Sequence, residues 1–403
     1  MHQFPFTALP LKMIYDIFAT MLQAAAPTTY PRRIAPYLPM EIISLIVEDV
    51  LKAANSDSFP LSTLSLISKP WMYECRRRLF KDLSTVSFHD IDDILLFMHL
   101  TSTPLCTFPN PIKCNRAEFK DMTRRERYYD VDYVSTAVQR ATSALDVVEG
   151  AFIQGTNRGI PYSVRDAFKG WWTIKDLTLS EGTYTPPVLF KFLGKLPHLQ
   201  HLCLSQVEID DPAGQYPSVY YAFPVTLVKL SVRSSSDIWA FFKWSVLPGG
   251  GMDTVEEVQI QDQFPKDYEP RTLNHKMLDC LSDMPNLQVL GLEPVWPTGR
   301  ASFLSTGIPR LDIPRSHSLK KLQLNLTQVP FALASKSLNA AMQAHNHARF
   351  PIRDLEVNIG GAWDVPERVT RAMQKGYERA ISNDAGGCPR TRVVVRYHRQ
   401  EAV

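Results

Sequence analysis

The most regular feature of this sequence is an arrangement of apolar positions, apolar-x-x-apolar-x-apolar, that recurs seven times from residue 174 onward. Apolar residues at every second position are typical of a strand with one buried face. The middle residues of successive occurrences are separated by 25, 28, 28, 32, 32 and 33 positions. We therefore predict seven strands, one in each unit of about thirty residues. The seven occurrences are Ile174-Leu177-Leu179, Leu199-Leu202-Leu204, Leu227-Leu230-Val232, Val255-Val258-Ile260, Leu287-Leu290-Leu292, Leu319-Leu322-Leu324 and Ile352-Leu355-Val357.

Helical patterns separate some of these strands. Residues 188–193 and 277–281 place apolar side chains at helical spacing before the second and the fifth strand. Because a strand with one returning helix or irregular segment cannot bury its own apolar face, such units must stack on their neighbours. We predict a stacked α/β array over residues 171–403, closed by a last strand at residues 393–397.

Residues 86–170 follow the pattern less clearly. Leu83, Val86 and Phe88 fit it, and the 91 positions from Val86 to Leu177 leave room for about three further units. Prolines and a charged run interrupt the rest of this stretch. We predict irregular repeats or a connecting region here.

A different pattern occupies residues 35–85, where three short apolar segments follow one another. Pro39 suits the first position of a helix, and Ile42, Ile46 and Val50 then recur at helical spacing. Helices this short cannot bury a self-sufficient core, since modules of this size usually need a metal, a disulfide or a partner. We expect another chain to complete part of the apolar surface. Residues 1–34 are predicted to be an N-terminal extension.

This segment resembles the F-box. The matching elements are Leu38-Pro39-Met40-Glu41-Ile42, then Leu64 and Ile67, then Ser68-Lys69-Pro70-Trp71, and finally Leu79-Phe80. The spacing is most similar to that of the F-box proteins abundant in mushroom-forming fungi. The repeated strands behind it resemble irregular leucine-rich repeats. Together the two resemblances imply an α+β to α/β protein, with a small N-terminal three-helix F-box followed by an irregular leucine-rich-repeat-like α/β solenoid.

The F-box resemblance implies a substrate-recognition adaptor of a cullin-RING ubiquitin ligase. The helices would dock on a Skp-type linker subunit, and through it on a cullin, while the repeats would hold an unknown protein substrate. The adaptor itself would be non-catalytic, because the assembly supplies catalysis by proximity. Glu41 would complement the dipole at the start of its helix. The residues implied in docking are Leu38, Pro39, Glu41, Ile42, Ile46, Leu64, Ile67, Trp71 and Leu79.

Two other interpretations stay open. In the first, the F-box-like helices cap the solenoid of an interaction scaffold that binds no ligase subunit. In the second, the chain is an enzyme whose site lies within residues 89–170.

Side chains alternate along a strand, so the residues between the apolar positions are predicted to line the opposite, concave face. Their charges alternate and few are aromatic, which favours a protein partner recognised by charge complementarity. These positions are Asp176, Thr178, Ser180, His201, Cys203, Ser205, Lys229, Ser231, Arg233, Glu257, Gln259, Gln261, Val289, Gly291, Glu293, Lys321, Gln323, Asn325, Asp354, Glu356 and Asn358. The candidate substrate-binding residues among them are His201, Lys229, Arg233, Glu257, Gln259, Lys321, Gln323 and Glu356.

Composition narrows the function classes further. A net charge of +3 over 403 residues does not favour a nucleic-acid binder. No apolar run approaches the length of a membrane span, so we expect neither nucleic acid nor a membrane as a partner. The six cysteines form no CxxC pair, which predicts reduced thiols and a cytoplasmic or nuclear location.

The search for chemistry finds no motif with catalytic spacing. The sequence contains no GxSxG, no P-loop, no HExxH and no cysteine and histidine spacing suited to zinc. We predict no catalytic residues, no metal site and no cofactor.

Overall fold

The computed structural model describes mixed α/β architecture with a large parallel sheet of 11 strands. The chain divides into two compact units, Met1–Gln154 with Ile160–Ile174, and Gly155–Gly159 with Lys175–Val403. The described residues are 39–53, 70–71, 74–75, 83–102, 112–122, 129–146, 148–156, 159–161, 164–165, 173–210, 224, 226–233, 235, 238–245, 252–263, 275–295, 317–326, 352–361, 368, 371–372, 375 and 392–399.

In the first unit, helix α1 spans Met40–Ala53. It begins after Pro39, whose carbonyl accepts hydrogen bonds from the amides of Ile42 and Ile43 at 3.1 and 3.2 Å. Residues 70–71 and 74–75 are also helical. The predicted start of this helix at Pro39 therefore agrees with the structure, and the segments between these helical residues lie outside the described part of the chain.

Three parallel strands follow in the first unit. They are β1 (Leu83–Phe88), β2 (Ile112–Phe119) and β4 (Gly150–Gln154), with the two-residue β3 (Leu145–Asp146) paired to β2. Helix α2 (Ile91–Ser102) connects β1 to β2, and α3 (Val131–Ser143) lies between β2 and β3. The Asp130 carboxylate caps α3 by accepting from the amides of Asp132 and Tyr133 at 2.8 and 3.3 Å.

These strands carry the repeated apolar pattern in a form that the sequence obscured. The register aligns Val86 with Ala117 and Ala117 with Ala151. Each of these residues is buried, as are Phe119 and Ile153 two positions after the alanines. The region predicted as irregular repeats or a connecting region therefore contains three strands of the same type as those that follow.

The second unit holds eight parallel strands in sequence order. They are β5 (Asp176–Ser180), β7 (His201–Ser205), β9 (Lys229–Arg233), β10 (Glu257–Gln263), β11 (Val289–Val295), β12 (Lys321–Leu326), β13 (Asp354–Gly361) and β14 (Arg392–Arg399). All seven strands predicted from the repeated pattern are present. β14 also confirms the predicted last strand.

The register of these strands matches the repeated pattern position by position. Leu177 pairs with Leu202, Leu202 with Leu230, and Leu230 with Val258. The same row continues through β11, β12 and β13, again joining the middle residue of each occurrence. The three apolar residues of every occurrence are buried, so these positions form the core side of the sheet.

Within the second unit, two rows of hydrogen bonds connect consecutive repeats, each repeat being one strand with the segment that leads into it. Both rows lie just before the strands. For six of these strands, the carbonyl of the residue just before the strand accepts from two amides of the next repeat, as Gln200 does from Val228 and Lys229 at 2.9 and 3.0 Å. We call these acceptors the entry carbonyls; they belong to Lys175, Gln200, Val228, Glu256, Gln288 and Lys320. Hydroxyl groups form the second row. Thr226, Thr254 and Ser318 each donate to the carbonyl of a leucine in the preceding repeat, at 2.8, 2.8 and 2.9 Å.

Short helices pack beside this sheet. They are α4 (Pro186–Leu193), α5 (Ile238–Ser245) and α6 (His275–Ser282). α4 and α6 confirm the two predicted helical segments. A separate pair of short strands, β6 (Thr183–Tyr184) and β8 (Glu208–Ile209), is also parallel. Phe190 of α4 stacks on Phe241 of α5 with ring centroids 5.4 Å apart, so aromatic contacts hold these two helices together.

Candidate functional site

Helix α1 exposes three large apolar side chains to solvent. Ile42, Leu45 and Ile46 are 42%, 59% and 36% exposed. Because they are three and four residues apart, they lie on one face of the helix. We call this surface the apolar strip. It is an arrangement typical of an interaction site rather than of a solvated helix face.

The neighbouring face of the same helix is core. Ile43 and Val47 are fully buried and pack with Trp71 and Cys75. Burial and the charge of Glu74 raise the pKa of the Cys75 thiol to about 12, so this cysteine stays protonated at neutral pH. α1 thus has two apolar faces, one covered and one exposed.

The predicted docking residues divide between these two faces. Pro39, Glu41, Ile42 and Ile46 are exposed on or beside α1, whereas Trp71 belongs to the buried cluster. The predicted residues outside the described part of the chain are Leu38, Leu64, Ile67 and Leu79. Leu45 was not among the predicted docking residues, although its spacing of three residues from Ile42 was a usable signal.

A second candidate surface is the polar face of the second unit's sheet. It is formed by the side chains between the buried apolar positions, and nearly all of them are half-buried or exposed. Each candidate substrate-binding residue lies on this face: His201, Lys229, Arg233, Glu257, Gln259, Lys321, Gln323 and Glu356. The register and the alternation of side chains therefore place these residues on one side of the sheet, and their role in substrate binding stays a prediction.

Charged residues of the polar face pair with one another. Lys229 Nζ lies 2.8 Å from Glu257 Oε1, and that same oxygen accepts from Gln259 Nε2 at 2.7 Å. On the neighbouring strands of the sheet, His201 Nδ1 contacts Asp176 Oδ1. Because these charges are neutralised laterally, they are less available to a partner than the sequence pattern indicates.

Glu356 is the centre of the largest such network. Its carboxylate contacts Lys321 Nζ at 3.0 Å and Arg396 at 2.7 Å, and it accepts from Gln323 Nε2 at 3.1 Å. The hydrogen bond from Lys321, the one from Gln323 and the two positive charges hold the pKa of Glu356 below its ordinary value of 4.5. Glu356 thus stays charged and holds the side chains of Lys321, Gln323 and Arg396 in place.

A groove with a cavity of about 390 Å³ lies on the polar face over β9 to β13. Its polar lining includes Arg233, Gln259, Gln261, Gly291, Glu293 and Gln323. The eight candidate residues include three of these, and the remaining three lie at positions that the alternation rule also assigned to this face. In the sequence, the candidate residues were selected largely for their charge. The groove instead depends on Gly291, a position without a side chain.

Several ionisable residues of 89–170 that the structure describes have local structural roles. Asp90 and Asp93 form a capping box at α2, because Asp90 Oδ1 accepts from the Asp93 amide at 3.1 Å and Asp93 Oδ2 accepts from the His89 amide at 2.8 Å. Glu118 accepts from Ser87 Oγ at 2.8 Å and contacts Lys120 Nζ at 2.9 Å. Burial raises the pKa of Glu118, but these hydrogen bonds outweigh it, and the net shift is downward.

Three further observations concern the described residues only. They contain no cluster of three or more histidine, cysteine or acidic side chains arranged to hold a metal ion. None of their helices is long and apolar enough to cross a membrane. Cys75, Cys114, Cys203 and Cys280 form no disulfide within this part of the chain.

No protein-family model matches this sequence. A comparison with curated proteins likewise finds no match. The resemblance to F-box proteins therefore stays a prediction based on the residues quoted above.

Proposed function

We propose that this protein is a substrate-recognition adaptor of a cullin-RING ubiquitin ligase. Residues 35–85 form a three-helix F-box that docks on a Skp-type linker subunit, and through it on a cullin. The strands behind it form a leucine-rich-repeat-like solenoid that holds the target protein. The adaptor contributes no catalytic residue, and it works in the cytoplasm, the nucleus or both.

The apolar strip on α1 is the single observation that carries this proposal. Ile42 and Ile46 belong to the residues that the F-box resemblance assigns to docking, and both are exposed although they are apolar. A second chain that covered Ile42, Leu45 and Ile46 would gain about 1 to 2 kcal/mol for each buried side chain. Such a gain makes this helix face suited to a stable protein contact.

The second unit supports the target-holding half of the proposal. Its eight strands follow one another in sequence order and share one register, which is how stacked repeats bury a common core. The opposite side of the same strands presents a continuous polar face. A surface of this kind suits recognition of a folded or extended protein segment.

Co-purification with a Skp-type linker subunit tests the proposal. The full chain is compared with the double variant Ile42→Asp and Ile46→Asp, which places charges on the apolar strip. We expect the linker to be retained by the unchanged chain and lost with the double variant, because unpaired carboxylates oppose burial at an interface. Deletion of residues 35–85 is expected to abolish retention as well.

Val188→Asp provides a matched control. Val188 is 39% exposed on α4, close to the exposure of Ile42 and Ile46, so its substitution introduces a similar surface charge elsewhere. Linker binding should persist in this variant. Retention of the linker by the double variant or by the deletion would contradict docking through these helices. Absence of linker binding by the unchanged chain would favour the scaffold interpretation, in which the protein binds no ligase subunit.

A further inference from the structure

The groove on the polar face is built around a glycine. Gly291 lies inside strand β11, where its register partners are Gln259 of β10 and Gln323 of β12. A glycine inside a strand is unfavourable on its own and often marks a place where a ligand or another backbone approaches closely. A Cβ atom added at Gly291 would lie 3.2 Å from Gln259 Cγ. Because glycine has no side chain, the groove floor carries none at this position, which we call the notch; Gln259 closes its β10 side.

The two glutamines beside the notch are held in one orientation. Gln259 Nε2 donates to Glu257 at 2.7 Å, and Gln323 Nε2 donates to Glu356 at 3.1 Å. A carboxylate can only accept, so the amide nitrogen of each glutamine must face its glutamate. The Oε1 atoms of Gln259 and Gln323 are then left to accept hydrogen bonds from a ligand on both sides of Gly291.

A second row of polar side chains runs parallel to the first, two residues further along the strands. It contains Gln261, Asn325 and Asn358, which also line the groove. Residues two apart on a strand are about 6.6 Å apart, so one extended chain lying over the groove can reach the carboxamides of both rows. Carboxamides donate and accept at once, as peptide groups do, so they match a peptide backbone.

The charge of the groove is balanced. Among the described residues that line it, Arg233 and Glu293 alone are ionisable, and they carry opposite charges. The glutamates that orient the glutamines are already paired with Lys229 and Lys321. A strongly acidic or basic ligand thus finds no net opposite charge here.

From these observations we propose that the groove binds an extended, uncharged polar peptide segment that crosses β9 to β13. A small residue of this segment lies over the notch at Gly291. Five strands span about 19 Å, which corresponds to about six extended residues. The inference deepens the proposed function, because it names the kind of target segment that the polar face would hold. It replaces charge complementarity, expected from the sequence, by hydrogen bonding to the backbone.

An array of synthetic peptides tests this inference on the full chain without any ligase subunit. The peptides are about ten residues long, enough to exceed the six that the groove spans. They form four sets, rich in uncharged polar, acidic, basic or apolar residues. We expect the unchanged protein to bind the uncharged polar set most strongly, with only a weak dependence on salt.

Three variants locate the binding. Gly291→Leu fills the notch and is expected to weaken binding of the preferred peptides by at least about tenfold, whereas Gln323→Leu removes one acceptor and costs about fivefold. Thr178→Leu is the matched control, because Thr178 occupies the same row of the same face on β5, away from the groove. Its binding should be unchanged. Thermal unfolding of each variant verifies that the fold is intact.

The possible failures are distinguishable from failure of the proposed function. Preference for the acidic or basic set, equal binding by Gly291→Leu, or no binding of any peptide would overturn the inference. If the linker subunit still binds in those cases, the adaptor role stands and only the target class is wrong. If peptides bind as expected but the linker does not, the groove stands and the ligase proposal is wrong.

Discussion

The apolar strip of α1 and the polar face of the second unit are both candidate interaction surfaces, yet they are built in opposite ways. The strip exposes the large apolar side chains of Ile42, Leu45 and Ile46. The polar face places its charges in lateral pairs, such as Lys229 with Glu257, and leaves carboxamides around Gly291. Burial of the apolar strip away from water is favourable, whereas the polar face selects a ligand by the direction of its hydrogen bonds.

This difference shows that an apolar pattern does not by itself distinguish a core position from a docking surface. In α1, Ile42 and Ile43 are adjacent and chemically identical, but the first is exposed and the second is buried. In β11 the adjacent residues Leu290 and Gly291 are likewise divided between core and groove. Substitutions at such adjacent positions separate the two roles.

The largest effect is expected in the sheet. Leu290→Ala opens a cavity at a fully buried site and should lower the free energy of unfolding by about 3 kcal/mol. Gly291→Ala next to it should change stability by less than about 1 kcal/mol, because only a flexible part of Gln259 has to move. Urea unfolding followed by circular dichroism measures both. Similar losses in the two variants would remove the distinction between core and groove.

The second prediction applies the same test to α1. Ile43→Ala should lower the local stability of this helix by about 2 kcal/mol, because Ile43 packs with Val47 and Trp71. Ile42→Ala should lower it by less than about 0.5 kcal/mol while weakening linker binding. Hydrogen exchange of the α1 amides reports local stability directly. Strong destabilisation by Ile42→Ala would mean that the apolar strip is core.

A smaller effect is expected from the hydroxyl row. Thr254 donates to the Leu227 carbonyl at 2.8 Å, and Thr254→Val keeps its shape while removing the donor. The loss should be about 1 kcal/mol, the usual value of one partly buried hydrogen bond. Thr178→Val on the polar face serves as the control and should be near neutral. Urea unfolding of the two variants gives the comparison.

The smallest effect concerns pH. Because the folded-state pKa of Glu356 lies below 4.5, its network stabilises the protein above the unfolded pKa and loses this contribution as the pH falls through the folded value. Glu356→Gln should therefore reduce the loss of stability between about pH 5 and pH 3, by about 0.5 kcal/mol. Unfolding free energies of both proteins across this range provide the test. Parallel pH curves would show that the network contributes nothing.

The sequence was sufficient to predict the strands of the second unit because large apolar residues repeat there without interruption. Leu202, Leu230 and Leu290 are the middle residues of this pattern, and each is the second residue of its strand. In the first unit the equivalent positions are Ala117 and Ala151, and alanine has low strand propensity. These residues are nevertheless buried, so the same pattern was present in smaller side chains.

The candidate surfaces were predictable to different degrees. The side of the sheet on which His201, Lys229 and Glu257 lie follows from strand periodicity alone. Their mutual pairing does not, because it depends on which residues of neighbouring strands face each other. The exposure of Ile42 was equally out of reach, since spacing shows that a residue shares a helix face but not what covers that face.

The entry carbonyls have a consequence for how this protein can change over evolutionary time. Main-chain hydrogen bonds join consecutive repeats there, and the residues that supply the carbonyls include Lys175, Val228 and Glu256, whose side chains differ chemically. Because the side chains take no part, their substitution leaves these hydrogen bonds between repeats intact. The spacing between equivalent residues of successive strands also varies, from 25 to 33 positions among the seven repeats. Such a scaffold tolerates replacement and insertion, so its polar face can be refashioned for a new target without a new fold.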